Sequence, residues 1–145
     1  MIKDSQKAIE MTQYFITWGV PADLKDTLRQ SAIYYASWEN HLDLVWLLFQ
    51  NGCKLNELDN HGQTPVFYSA REGLKEMTKL LIELGSDVNI EDKHRQTPIF
   101  YAAKNGKTEV CGILLDGGAN INHEDEKQMT PVIIAQKSRK FDVSS

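Results

Sequence analysis

The chain carries 145 residues, 25% of them charged and 41% hydrophobic, with a net charge of −4. This globular balance excludes a disordered polymer, which could not bury enough apolar surface to offset its ordering entropy. The acidic excess argues against nucleic acid as the main partner, because that binding rests on neutralising phosphates. The first predicted element is a helix from Asp4 to Trp18, capped by Asp4 or Ser5, with Ala8, Ile9, Met11, Phe15 and Ile16 as its apolar set. The opening Met1-Ile2-Lys3-Asp4-Ser5 lacks the apolar core of a signal peptide. The longest strongly apolar run, Leu44 to Phe49, is far too short to span a bilayer, so no membrane contact is expected.

Val20 to Lys25, containing Pro21, leads into a repeating region. Asp59 to Glu91 reads DNHGQTPVFYSAREGLKEMTKLLIELGSDVNIE and returns 33 residues on as DKHRQTPIFYAAKNGKTEVCGILLDGGANINHE, Asp92 to Glu124. Thr64-Pro65 becomes Thr97-Pro98, Gly73 becomes Gly106, Gly85 becomes Gly118 and Asn89 becomes Asn122. A weaker copy occupies Asp26 to Leu58, with Ser31-Ala32 in place of Thr-Pro. A third Thr-Pro, Thr130-Pro131, opens an incomplete copy. The chain therefore divides into a capping helix at 1–25, full repeats at 26–58, 59–91 and 92–124, and a partial repeat at 125–145.

Each unit predicts two helices. Thr64 and Thr97 are placed to cap the first helix with their hydroxyls, and Pro65 and Pro98 sit where a missing N–H costs nothing. Ser31 serves as the cap of the first copy. Gly73 and Gly106 end that helix, with Asn40 as the substitute in the first copy. The second helix carries Met77, Leu80, Leu81 and Leu84 as one apolar stripe and ends at Gly85. Such a unit has apolar surface on two sides and cannot bury it alone, so copies must stack. Gly19 lies one period before Gly52, which makes the N-terminal helix the second helix of a copy without its first. At the other end Val132, Ile133, Ile134 and Ala135 open a first helix that no second helix follows. Either the polar tail from Lys137 to Ser145 caps the stack, or the chain is an excerpt from something longer.

The period, the Thr-Pro starts and the Leu80-Leu81-Ile82-Glu83-Leu84-Gly85 run resemble the ankyrin repeat family. The resemblance covers roughly residues 26–140 and implies an all-α solenoid of stacked helix–turn–helix units with hairpin-like loops. Two departures are consistent. The family's first-helix histidine is Tyr34, Phe67, Phe100 and Ile133 here, and the hairpin glycine survives only at Gly62, being Arg29, Arg95 and Gln128 elsewhere. Both bear on local hydrogen bonding and tip geometry.

A search for chemistry finds no Gly-rich phosphate loop, HExxH, GxSxG or paired CxxC, so no enzyme and no cofactor is expected. Cys53 and Cys111, 58 residues apart, match no ligand motif and read as buried free thiols suited to an intracellular, cytoplasmic or nuclear compartment. His61 and His94 share one register at successive hairpin tips. Tips carried by helices about 8–10 Å apart do not suit a shared ion with bonds of about 2 Å. His41 follows the first helix and His123 is a linker residue; neither shows an acid, base or nucleophile partner by spacing. The column Tyr35, Tyr68, Tyr101 lacks interleaved basic groups and reads as inter-repeat packing with hydroxyls reaching an edge.

The function the resemblance implies is non-catalytic binding of a protein or peptide on a concave face of hairpin tips and first helices. The positions on that face are Thr27, Leu28, Gln30, Trp38 and Glu39, then Asn60, His61, Gln63, Arg71 and Glu72. The third copy supplies Lys93, His94, Gln96, Lys104 and Asn105, and the last supplies Glu126, Lys127, Met129 and Lys137. Trp38, Glu39, His61, Gln63, Arg71, Glu72, His94, Gln96, Lys104 and Asn105 form the candidate contact set. Trp38 is its anchor unless it packs on the N-terminal cap instead, where Trp46 is expected. Arg71, Lys93, Lys104 and Lys137 suit an acidic partner over the C-terminal half. A monomer is expected. The alternative is a regulatory or targeting ankyrin segment cut from a larger enzyme or effector, in which this piece still only binds.

Overall fold

The computed structural model describes the backbone of residues 2–143 and the side chains of residues 6–139. The caps expected at Asp4 and Ser5 lie outside the described side chains, as does the tail beyond Arg139. Eight helices and no strand occur among the described residues: α1 Ile2–Thr17, α2 Ala32–Trp38, α3 Leu42–Gln50, α4 Pro65–Glu72, α5 Lys75–Glu83, α6 Pro98–Lys104, α7 Thr108–Asp116 and α8 Pro131–Val143.

Helices of this length are marginal alone and depend on tertiary packing. They form pairs, α2 with α3, α4 with α5 and α6 with α7, and the pairs stack in two columns. First helices run α2, α4, α6, α8 and second helices run α1, α3, α5, α7. The core repeats with the sequence period: Ile33, Val66 and Ile99 are fully buried at one register, and Leu48, Leu81 and Leu114 at another. Each such burial stabilises by roughly 1.5–3 kcal/mol relative to exposure. Small side chains at Ala36-Ser37, Ser69-Ala70 and Ala102 are buried where the helices of a pair approach. There Thr78 Oγ1, from the second helix, lies 3.0 Å from Ser69 Oγ of the first.

The start of each first helix differs from expectation in one respect. Thr64 and Thr97 stand at the N-cap with extended backbone, each followed by proline, but neither hydroxyl caps. Both Oγ1 atoms are buried without a hydrogen-bond partner. The backbone carbonyls of Thr64 and Thr97 instead accept the amides of Phe67 and Phe100 at 3.0 Å. Ser31 makes no side-chain cap either. In the first repeat Tyr34 sends its hydroxyl to the carbonyls of Glu57 and, at 3.1 Å, Gln63. Phe67 and Phe100, at Tyr34's register, carry no polar atom to offer a neighbour.

The hairpin tips need a left-handed residue, and the chain supplies it with unlike side chains: Arg29 at φ 63°, Gly62 at 74°, Arg95 at 60° and Gln128 at 61°. Only glycine adopts this region without strain. A Cβ at Gly62 would also lie 3.1 Å from the Lys93 nitrogen, so that tip is the tightest against its neighbour. Asn40, at φ 62°, takes the helix-ending role that Gly73 and Gly106 fill at φ 74° and 69°.

The expected apolar set of α1 divides in two. Ala8 and Ile9 pack against the core, whereas Met11 and Phe15 are exposed, together with Tyr14 and Trp18. Met11 and Phe15 occupy the registers that in complete pairs lie under the first helix, and α1 has no first helix of its own.

Candidate functional site

The surface that the stack leaves free is built on a hydrogen-bonded ladder. Asp26, Asp59, Asp92 and Asp125 open the four tips, and each turns Oδ1 back to the amides two and four residues on, at 2.9–3.0 Å. Asx turns of this kind hold a loop without help from its neighbours. The other carboxylate oxygen works between elements. Oδ2 of Asp26, Asp59 and Asp92 accepts the hydroxyl of the tyrosine nine residues later, Tyr35, Tyr68 and Tyr101. Across the repeat boundary, the side-chain amides of Gln30, Gln63 and Gln96 donate to Asp59, Asp92 and Asp125 at 2.8, 3.0 and 2.8 Å. Gln30 also donates to Tyr68 Oη at 2.9 Å.

This network sets the charge state of the ladder. Burial by itself would raise the Asp59 carboxyl, but donation from Tyr68, Gln30 and two backbone amides outweighs it and holds the group below its ordinary range. Asp125 follows the same pattern with Gln96, Met129 and Lys127 as donors. At exposed Asp26 the Tyr35 hydroxyl is the main cause of the same downward shift. Burial, then the partner carboxylate, raises Tyr68 and Tyr101 far above the usual phenol range.

Gln63 therefore leaves the candidate contact set. It is buried, its amide is committed to Asp92, and its backbone carbonyl accepts Tyr34. Gln96 is half-buried and committed to Asp125 in the same way. Sequence reading placed both at the tips because glutamine is a surface residue by composition. Their partners lie 29 residues on and become visible only once the repeats are stacked.

The remaining members stay accessible. Trp38 is 47% exposed at the end of α2 and lies over the ring of Tyr68 on α4, at 5.9 Å and 24° between planes. It stacks on the next repeat rather than on α1. The Arg71 guanidinium stands 4.9 Å from the centre of the same Tyr68 ring. Trp38, Tyr68 and Arg71 thus make one platform, with Tyr68 anchored beneath by Asp59. Glu39, His61 and Glu72 are exposed around it. Trp46, expected beneath α1, is 45% exposed on α3.

Towards the C-terminal end, Asn105 donates to the Arg71 carbonyl at 3.3 Å. Lys104 lines a cleft of about 420 Å³ together with His94, Lys127 and Lys137 above an apolar base of Phe100, Met129 and Ile134. His94 Nδ1 lies 3.0 Å from Glu126 Oε1 on the next tip. His123 pairs with Glu91 at 2.8 Å and sets the edge of its ring on Phe100. Both acids sit 32 residues from their histidines, which is why local spacing shows no partner for either.

The thiols carry no site. Cys53 is buried, donates to the Ala22 carbonyl at 2.8 Å and is pushed up to about 11 by burial, so it stays a thiol at neutral pH. Cys111 is half-buried rather than buried, and its thiol is also raised by burial. Among the described residues no group of three or more His, Cys, Asp or Glu could hold a metal ion. No helix among them is long and apolar enough to cross a membrane.

The stacked pairs, the Thr-Pro starts and the tip ladder define a class, the helical repeat solenoid that exposes its tips and first helices. A family model for ankyrin repeats, three copies, matches residues 2–92 and 85–144. The chain belongs to the ankyrin repeat family. Its fold is an all-α ankyrin solenoid. Ankyrin repeats generally serve protein–protein interaction and are typically non-catalytic. No curated protein matches the chain.

Proposed function

We propose that the chain binds an acidic protein or peptide segment along the tips and first helices, from Trp38 to Lys137. The observation that carries this reading is the platform of Trp38, Tyr68 and Arg71. A half-exposed tryptophan held on a buried tyrosine presents apolar area with little rotamer freedom left to lose, as binding hot spots require. The basic side of the face, Arg71 and then Lys104, Lys127 and Lys137 around the C-terminal cleft, continues from it and favours carboxylates. Glu39, His61, Glu72, His94 and Asn105 flank this path and fix orientation rather than strength.

The test titrates a panel of labelled peptides, each with an aromatic anchor and either glutamate or lysine flanks, against the folded protein. The glutamate-flanked members should bind, and more weakly as salt rises. Trp38→Ala should weaken binding about 30-fold or more, as loss of a hot spot of ~2 kcal/mol implies. Lys104→Glu should remove the preference for acidic flanks. The melting temperature should fall little for Trp38→Ala, since the stack contributes only about 0.5–1.5 kcal/mol. Binding that survives both substitutions would place the contact surface elsewhere.

A further inference from the structure

The two ends of the stack are each half of a repeat, and the halves are complementary. Met11 is 53% and Phe15 47% exposed on α1. One, two and three periods on, the same registers hold Leu44, Met77, Val110 and Leu48, Leu81, Leu114, all between 0 and 8% exposed. In those pairs a first helix covers them; on α1 nothing does. At the opposite end, Val132 of α8 is 50% exposed, whereas Ile33, Val66 and Ile99 at its register are 0% exposed beneath a second helix.

Beside α8 this leaves an apolar groove of about 500 Å³, lined by Ala103, Cys111, Ile121, Pro131, Val132 and Ala135 among others. One period earlier Ala70, Thr78, Ile99 and Ala102 hold the equivalent places and are fully buried, because α7 packs on α5 and α6 there. The groove thus has the shape and lining of a seat for a second-type helix. The chain carries one such helix with its first-helix face uncovered, namely α1. Terminal units of a repeat array need a polar outer face to stay separate, and neither end has one.

We propose that copies of this chain associate head to tail, α1 of one copy entering the groove beside α8 of another and completing a shared repeat. Charge favours the same direction: residues 1–92 carry 8 basic and 14 acidic groups, and residues 93–145 carry 8 basic and 6 acidic. A contact between two different surfaces does not close on itself, so the association is open-ended. This departs from the monomer expected from the sequence. It is independent of the partner-binding face, which lies on the tips rather than the ends.

Sedimentation of the full chain over a wide concentration range tests it. The weight-average mass should climb past that of a dimer without a plateau. Phe15→Glu and Val132→Glu, each at an exposed position, should both sediment as monomers and melt as the wild type does at low concentration. Met11→Lys replaces Phe15→Glu should that variant melt early. Mixed in equal amounts, the two single-end variants each keep one intact end, so they should form a dimer and stop there. A mixture that stays monomeric overturns the proposal. So does a wild type that is monomeric throughout, or Val132→Glu associating as the wild type does, which would mean that two α1 helices pair with each other.

Discussion

At the residue scale, the informative feature is the buried hydroxyl that caps nothing. A threonine at the N-cap normally stabilises by about 1 kcal/mol through its bond to a first-turn amide. Thr64 has the position and the extended backbone for that bond, yet its Oγ1 is orphaned and its carbonyl takes the Phe67 amide instead. A buried hydroxyl without a partner costs about 1–3 kcal/mol against an apolar group of the same shape. Thr64→Val should therefore leave the urea midpoint unchanged or raise it, the reverse of the usual rule for an N-cap. A loss of 1 kcal/mol or more would show that the hydroxyl is bonded after all. The position of the cap was legible in Thr64-Pro65 because it depends on neighbours in sequence. The missing bond was not, since it turns on how the Phe67 ring fills its place.

At the scale of the element, the tips are held by the carboxylates that open them, and this makes the stack pH-dependent at both ends of the scale. Asp26, Asp59 and Asp125 ionise more readily in the folded state than an ordinary carboxyl of pKa about 3.9. Their contribution is fully present above that value and is lost as pH falls through the depressed folded values. Tyr34, Tyr68 and Tyr101 are shifted upward, so their contribution is present below about pH 10 and is lost as pH rises beyond it. Stability should thus be flat through the neutral range and fall on both sides. Asp59→Asn removes the acceptor shared by Tyr68 and Gln30 and should cost about 1.5–3 kcal/mol at pH 7, as hydrogen bonds to a charged group do. The cost should shrink as the acid limb is entered, because the wild type loses the same carboxylate there. Urea titrations of the two proteins from pH 7 down to pH 2 check this, and parallel curves would refute it. The sequence showed Asp59, Gln63 and Tyr68 recurring at one period. It could not show that they answer each other across repeats, so Gln63 and Gln96 read as free polar tips.

On the scale of the whole molecule, the period of 33 residues was enough to specify stacking, because no unit buries its two apolar sides alone. What periodicity could not reveal is which apolar side of α1 faces inward, since Met11 and Phe15 follow the same helical spacing whether covered or not. The consequence is an uneven molecule. α4 and α6 have a helix of their own column on either side and a second helix behind, whereas α1 packs on α3 and α8 on α6. In a linear array, local stability is the sum of a unit's own terms and those of its neighbours, so the ends should open first. Native-state hydrogen exchange at low protein concentration should give the lowest opening free energies in α1 and α8 and the highest in α4 and α5. Leu81→Ala, at a fully buried central position, costs about 2–5 kcal/mol as a core truncation. It should lower protection in α4 and α5 by that amount and carry part of the loss into α6 and α7, which rest on them. Ile9→Ala, in contrast, should loosen α1 and leave α6 unchanged. If both substitutions lower every helix equally, the stack unfolds as one block and the description by neighbouring units fails.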